Sequence, residues 1–273
     1  MDNKDIIKQI EITRIKDNKK ILMNDSVIDE EILEIIINKN KVFQMVFSMT
    51  DTEALAVGFL FTQGIVHKKK DIETIEFFKE KNQCHITLAN RAEKRLTEFK
   101  KGQQIKGSSG GTLLQDPVDF LSSCSKKGLF NITYDQVLSL IQLHWDHSEL
   151  FHKTGAVHSA GLCNSSKILS YYEDIGRHNA LDKLAGDVLL KEMDTRDKIA
   201  TVSCRMSLEI IGKIIKTGIP IVISNAAPTL SAIKLADKAG LTLIGFARNN
   251  RFNIYTHEKR IQPSVPDKVK RLD

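Results

Sequence analysis

Cys124 lies in "FLSSCSKKGLF" (120–130), beside Lys126 and Lys127. Cations near a thiol favour the thiolate, the form that attacks sulfur and carbon electrophiles. The stretch makes Cys124 a candidate nucleophile, with an idle loop thiol as the alternative. Cys84 and Cys163 fall in apolar, strand-like runs and read as inert core thiols, and Cys204 ends a strand in "VSCRMS", where a core position is again the favoured reading. All four cysteines are far apart and no CxxC pair exists, which removes the thioredoxin-type redox motif and the usual zinc spacing.

Three stretches fall at the carboxyl ends of predicted strands, where open α/β sheets bind ligands. In "EDIGRHNALDK" (173–183), acids, a glycine, Arg177 and His178 precede a helical pattern. An arginine there can grip a phosphate, or it can be bound internally while Asp174 or Asn179 caps the helix. "SNAAPT" (224–229) is a small-residue loop leading to a helix and is weak on its own. "FARNNRF" (246–252) places Arg248 and Arg251 on either side of Asn249-Asn250 directly after an apolar strand. The arginines can chelate an anion from both sides, or stand solvated on a plain hairpin turn. His158 alternates with apolar residues in "FHKTGAVHSAGL", the pattern of a satisfied buried histidine. A zinc deaminase needs His-x-Glu here and Pro-Cys-x-x-Cys later, and neither is present. No metal site is expected.

Ligands in open α/β sheets sit at the carboxyl ends of strands, so the elements around these stretches matter. The first third reads as strands with one helix. "ILEIIINKNKVFQMVFSM" (32–49) predicts a hairpin around Asn-Lys-Asn. Thr50 and Glu53 form a capping-box pattern for a helix that stops at Gly64. "IETIEFF" and "CHITLA" predict two more strands, and polar "RAEKRLTEFKKGQQIKGSSGGT" (91–112) reads as a linker or mobile loop. From residue 133, a helix capped by Thr133 and Gln136 is followed by strands at "AVHSAGLC" and "KILSYY". A helix at "NALDKLAGDVLLKEM" comes next, and strands then alternate with helices up to "FNIYTH". Pro228 suits the first helical position of its helix, and Gly218 and Gly240 the positions closing the preceding ones. The alternation predicts an α/β fold with a mixed, mainly parallel sheet. The expected division is a strand-rich portion 1–112, a cysteine loop 113–132 and an α/β domain 133–273.

The bulk composition excludes several classes. A chain of 273 residues with 41% hydrophobic and 27% charged residues can bury a core. No apolar run reaches the ~20 residues that span a bilayer, and "MDNKDIIKQI" carries no signal-peptide core, so a cytoplasmic protein without a membrane partner is expected. The net charge of +6 is spread along the chain, and one Trp with four Tyr leaves little to stack on bases, which argues against nucleic acid.

Together, "LAVGFLFTQGIV", "LSSC", "FHKTGAVHSAGL", "EDIGRHNALDKLAG", "SCRMSLEIIGKII" and the run from "GIPIVISNAAPTL" through "GFARNNRFNIYTHEKRI" resemble the formate dehydrogenase accessory sulfurtransferase family (FdhD/NarQ) across nearly the whole chain. The resemblance implies a cytidine-deaminase-like three-layer sandwich without zinc. It also implies a sulfur carrier that takes persulfide sulfur from a cysteine desulfurase. The sulfur goes to the molybdenum bis(molybdopterin guanine dinucleotide) cofactor used by formate dehydrogenase. By the same resemblance, Cys124 is the persulfide carrier and Phe246, Ala247, Arg248, Asn249, Asn250 and Arg251 form the cofactor-binding segment. A guanine nucleotide would mimic the bound client, and the protein would be a homodimer. The family loop usually reads Ser-Ser-Cys-x-x-Cys-Gly, whereas Lys127 stands here where its second cysteine would be. One thiol suffices to carry a persulfide, but a disulfide within the loop is excluded. The departure leaves a second function open: a cofactor-binding chaperone or scaffold that has lost sulfur transfer.

Overall fold

The computed structural model describes residues 6–102 and 130–264. The chain begins with a hairpin of β1 (Ile7–Lys16) and β2 (Lys19–Ile28). Asp17 and Asn18, both at positive φ, make the two-residue turn whose twist matches paired strands. A second hairpin joins β3 (Glu31–Ile37) to β4 (Asn40–Phe47) through Asn38 and Lys39 at φ 48 and 67, as the Asn-Lys-Asn stretch predicts.

Helix α1 (Thr52–Thr62) follows, but the capping box expected of Thr50 and Glu53 does not form. Asp51 occupies the N-cap in a left-handed conformation with no side-chain cap, and the Thr50 hydroxyl accepts from Lys183 Nζ at 2.9 Å. The other end of α1 is as expected. Gly64, at φ 75, lets Gly64 N–H reach Phe61 O and Ile65 N–H reach Leu60 O, a Schellman closure.

Strands β5 (Ile72–Phe78) and β6 (Gln83–Leu88) complete a sheet of order β4-β3-β6-β5, with β3 and β6 parallel. The polar stretch read as a linker instead begins as a helix, α2 (Asn90–Gly102). The reason is spacing: Ala92, Leu96 and Phe99 fall on one helical face and are buried in the core of this sheet and α1. Arg95, on the same helix, donates to Ile65 O and pairs with Asp71. Residues 103–112 of that stretch, and residues 113–129 of the expected cysteine loop, Cys124 among them, lie outside the described residues.

The chain resumes with β7 (Ile132–Thr133) and α3 (Tyr134–Asp146). Here the capping box forms reciprocally: Thr133 N–H donates to Gln136 Oε1 at 2.8 Å, and Gln136 N–H to Thr133 Oγ1 at 3.3 Å. Next come α4 (Glu149–Thr154), β8 (His158–Cys163), β9 (Ile168–Asp174) and α5 (Arg177–Leu190). Helix α5 starts at Arg177, before the predicted Asn179. Its N-cap is Gly176, whose N–H is held by Asp174 Oδ1 at 2.9 Å, so neither Asp174 nor Asn179 caps the helix.

Alternation then follows as read: β10 (Ile199–Val202), α6 (Leu208–Thr217), β11 (Ile221–Ser224), α7 (Leu230–Ala239), β12 (Thr242–Arg248), β13 (Arg251–Ile254) and a short β14 (Ile261–Gln262) paired with β7. Gly218 and Gly240, both left-handed, close α6 and α7. Pro228 is not the first helical residue of α7: Thr229 is the N-cap, its hydroxyl accepting from Ala232 N–H at 3.2 Å, and Pro228 precedes it. The larger sheet has the order β13-β12-β11-β10-β8-β9, with β10, β11 and β12 parallel and β13 antiparallel to β12. The architecture is mixed α/β.

Among the described residues, one compact unit comprises 6–102, 147–160 and 171–193, and the other 130–146, 161–170 and 194–264. These units interleave along the chain, whereas the division expected from sequence was contiguous. In the first, α1 and α5 cross closely enough that a Cβ on Gly58 would sit 1.7 Å from Asp182 O, and one on Gly186 1.9 Å from Ala54 O. In the second, Ile199, Ile221, Ile223 and Ile244 pack with Val137, Leu140 and Ile141 of α3. Ala200, Val202, Val222 and Leu243, at the alternate positions, are buried as well. Burial on both faces explains why these strands read as continuous apolar runs.

Candidate functional site

The carboxyl ends of β11 and β12 carry a candidate site. The loop after β11 is fixed by Ser224, whose hydroxyl donates to Cys204 O at 2.9 Å and accepts from Ala226 N–H at 3.0 Å. Ala226 O then receives the N–H of Phe246 at 3.2 Å, tying this loop to β12. Met206 N–H donates to Ala227 O, and Thr229 N–H to Met206 O, so the loop after β10 is tied to it too.

Strand β12 is irregular where it meets these loops. Gly245 pairs with Asn253 and Arg248 with Arg251, leaving one extra residue on β12, a β-bulge. Phe246 in the bulge has φ 53. An aromatic residue in the left-handed region is strained, and such strain clusters at functional sites. The bulge turns Ala247 into the core beneath α3, where it is fully buried. Asn249 and Asn250, at φ 50 and 57, then make a tight turn of the primed type, which Asn tolerates. Arg248 and Arg251 are therefore direct cross-strand partners, and both are exposed. Like charges facing one another across a ladder are unfavourable, and an anion between them reverses the sign.

A cavity of about 710 Å³ opens beside this turn. Ala247, Arg248, Asn249 and Asn250 line one side; Leu138, Ile141, Gln142 and Trp145 of α3 line another; Asn225, at the end of β11, also contributes. Its volume is that of a cofactor-sized pocket, and its position at strand carboxyl ends is where α/β sheets bind ligands. The Oδ1 of Asn225 is inaccessible to water and has no hydrogen-bond partner among the described residues.

Of the residues expected to hold a cofactor, Ala247, Arg248, Asn249 and Asn250 thus share one cavity. Phe246 forms the strained bulge beside it, and Arg251 faces Arg248 across the turn. "FARNNRF" is a hairpin turn with exposed arginines, and it borders a cavity. Sequence reasoning missed Asn225, Gln142 and Trp145. For Asn225 the signal was present in "SNAAPT", a small-residue loop at a strand end; the α3 face carried none.

The stretch "EDIGRHNALDK" has a different place, in the other unit. Lys183 and Asp174 are completely buried and paired at 2.8 Å. Lys183 Nζ also donates to Thr50 Oγ1 and to Glu173 O, each at 2.9 Å. Asp174 Oδ2 accepts from the Ser48 N–H and hydroxyl, and its Oδ1 from Gly176 N–H and Asn179 Nδ2. The acids and the lysine of this motif hold the chain together around α5. Burial raises the pKa of the Glu173 carboxyl, against the opposing pull of the Leu150 and Phe151 N–H groups.

The described cysteines are all buried. Burial pushes the Cys84 thiol up to about 12, and the Cys163 thiol up to about 11, with a Thr201 contact pulling the latter down. These are core thiols, as read. Cys204 is 3% exposed. His158 opens β8 half-buried. Among the described residues no group of three or more His, Cys, Asp or Glu side chains could hold a metal ion, and no helix is long and apolar enough to cross a membrane.

The model of the FdhD/NarQ family matches residues 28–262. The chain belongs to the FdhD/NarQ family. It is 33% identical to the sulfur carrier protein FdhD of Bacillus pumilus over 95% of its length and 99% of that protein's. It is 34% identical to the Bacillus licheniformis protein of the same name, covering 95% and 98% of the two chains. The Sulfolobus acidocaldarius protein of that name is 33% identical, with 93% and 98% covered. The fold is similar to the crystal structure of a protein from Desulfotalea psychrophila proposed to be a formate dehydrogenase accessory protein. That match has a TM-score of 0.77 and 23% identity, and covers 94% of this chain and 99% of the other.

Proposed function

We propose that this protein is a sulfur carrier in formate dehydrogenase maturation. It accepts persulfide sulfur from a cysteine desulfurase on Cys124 and passes it to the molybdenum bis(molybdopterin guanine dinucleotide) cofactor. The observation that carries the reading is membership of the FdhD/NarQ family over nearly the full chain, with relatives named as sulfur carriers. The cysteines support the choice of residue. Cys84, Cys163 and Cys204 are buried, which leaves Cys124 as the candidate thiol. In the loading step the Cys124 thiolate attacks the outer sulfur of the donor persulfide. A new S–S bond forms at Cys124, the donor's S–S bond breaks, and the donor cysteine leaves as a thiolate, with no net oxidation.

The cavity beside the Asn249-Asn250 turn suits the client cofactor. Arg248 and Arg251 supply cations for its diphosphate groups, and Trp145 offers an apolar surface for a ring system. Lys127, standing in place of the family's second cysteine, favours a second reading: a chaperone that binds the cofactor without moving sulfur. Complementation separates the two. In cells lacking their own family member, this chain should restore formate dehydrogenase activity and Cys124→Ala should not; equal restoration by both would favour the chaperone.

A further inference from the structure

We propose that Phe246 is a positioning residue: its left-handed conformation in the β12 bulge keeps Arg248 out of the core and sets it opposite Arg251. The inference rests on the reading of the arginine pair as a seat for diphosphate groups.

Residues two apart on an unbroken strand share a face. Ile244 packs in the core with Val137, Leu140 and Ile141 of α3, so Phe246 and Arg248 would follow it there on a regular strand. That arrangement would bury a guanidinium among apolar side chains, at a large desolvation cost. The bulge avoids it. Gly245 pairs with Asn253 and Arg248 with Arg251, so Phe246 and Ala247 together stand against Phe252 alone on β13. The extra residue reverses the alternation: Ala247 takes the core position and Arg248 is exposed. On β13, Phe252 and Ile254 pack against the same core, which leaves Arg251 on the outer face beside Arg248.

The same shift sets the turn. Regular pairing onward from Gly245 and Asn253 would bring Ala247 opposite Arg251 and leave Arg248 in a three-residue loop. With the bulge the loop is Asn249 and Asn250 alone, at φ 50 and 57, and the two arginines flank it directly. Directly paired residues have Cβ atoms about 5 Å apart, close enough for two guanidinium groups to hold neighbouring phosphates of one diphosphate.

Phe246 carries the change of backbone conformation. Bulges with a left-handed residue usually place glycine there, and here Phe246 stands at φ 53. Its N–H is taken by Ala226 O at 3.2 Å, so the loop after β11 holds the bulge from the side away from β13. One residue earlier, a Cβ on Gly245 would lie 3.0 Å from Ala226 O and 3.2 Å from Pro228 Cδ. The strand is pressed against that loop where the bulge begins, and these surroundings hold an aromatic residue in a conformation it disfavours.

The test is titration calorimetry of inorganic pyrophosphate into the full chain and its variants, each well below its melting temperature. Arg248→Ala should weaken binding at least about tenfold. Phe246→Val and, as a second β-branched variant, Phe246→Thr should weaken it by a similar factor, because such residues resist positive φ. Phe246→Gly, which takes this conformation freely, should recover most of that loss. Adding Arg248→Ala to either β-branched variant should cost little more, because Arg248 no longer faces the anion. A merely structural Phe246 would move the melting temperature and leave both pyrophosphate binding and the Arg248→Ala effect unchanged. Wild-type binding by both β-branched variants, a Phe246→Gly variant as weak as they are, or a full tenfold loss on adding Arg248→Ala to them would each overturn the positioning role. The arginine seat would still stand if Arg248→Ala alone weakened binding. No pyrophosphate binding by wild type would overturn both.

Discussion

Replacing Lys183 with methionine tests whether the "EDIGRHNALDK" motif is structural. The ammonium is completely buried, 2.8 Å from Asp174 Oδ2, with Thr50 Oγ1, Glu173 O and Ser48 O as further acceptors. Methionine fills much the same volume, so the loss is chiefly electrostatic. Asp174 keeps its donors from Ser48, Gly176 and Asn179, but its charge remains buried with no counter-ion. Breaking a buried pair from one side costs about 3–5 kcal/mol. For a chain of this size each kcal/mol moves the melting temperature by about 2–4 °C, so Lys183→Met should lower it by roughly 6–20 °C in a circular-dichroism melt. Adding Asp174→Asn removes the stranded charge, and the double variant should be more stable than the sum of the two single losses. A Lys183→Met variant that melts within a degree or two of wild type, or strict additivity, would refute the argument.

Other consequences follow from the same geometry. Gly58→Ala drives a methyl group into Asp182 O of α5; overpacking of this kind costs about 1–3 kcal/mol or more, which a urea titration would show as a lower midpoint. Thr133→Ala removes one half of the α3 capping box and should cost about 1 kcal/mol in the same assay. Burial pushes the Asp71 pKa up, but the His67 N–H and the Arg95 guanidinium outweigh it and leave the carboxyl below its usual range. Its contribution to stability is therefore present above the unfolded pKa and is lost as pH falls through the lower folded value; Asp71→Asn should flatten the acid limb of a stability-versus-pH curve. Native protein near neutral pH should resist alkylation at Cys84 and Cys163, which burial holds almost wholly protonated, with peptide mapping as the readout. Lys127→Glu should raise the Cys124 pKa and slow its alkylation; an unchanged rate-versus-pH profile would count against a role for that lysine.

Local signals in the sequence were reliable where local chemistry decides the outcome. The Asn38-Lys39 turn, the Gly64 closure and the reciprocal Thr133–Gln136 cap each depend on residues within a few positions of one another. The Thr50–Glu53 cap had the same local pattern and failed, because Lys183, far along the chain, takes the Thr50 hydroxyl. Helix α2 was legible in the spacing of Ala92, Leu96 and Phe99 but was obscured by the charged Glu93, Lys94, Arg95 and Glu98 between them. The Gly58–Gly186 crossing could not be read at all, since each glycine is required by the other helix. At the site, "FARNNRF" showed its arginines and its turn. The bulge at Phe246 and the solitary Asn225 oxygen depend on how neighbouring strands end, which no single stretch encodes.

The central claim is that Cys124 carries sulfur. Incubation of the full chain with a cysteine desulfurase and L-cysteine, followed by intact-mass analysis without reductant, tests it directly. Wild type should gain the mass of one sulfur atom, removable by a thiol reductant, and Cys124→Ala should gain none. Equal labelling of the two proteins, or no labelling of wild type, would contradict it.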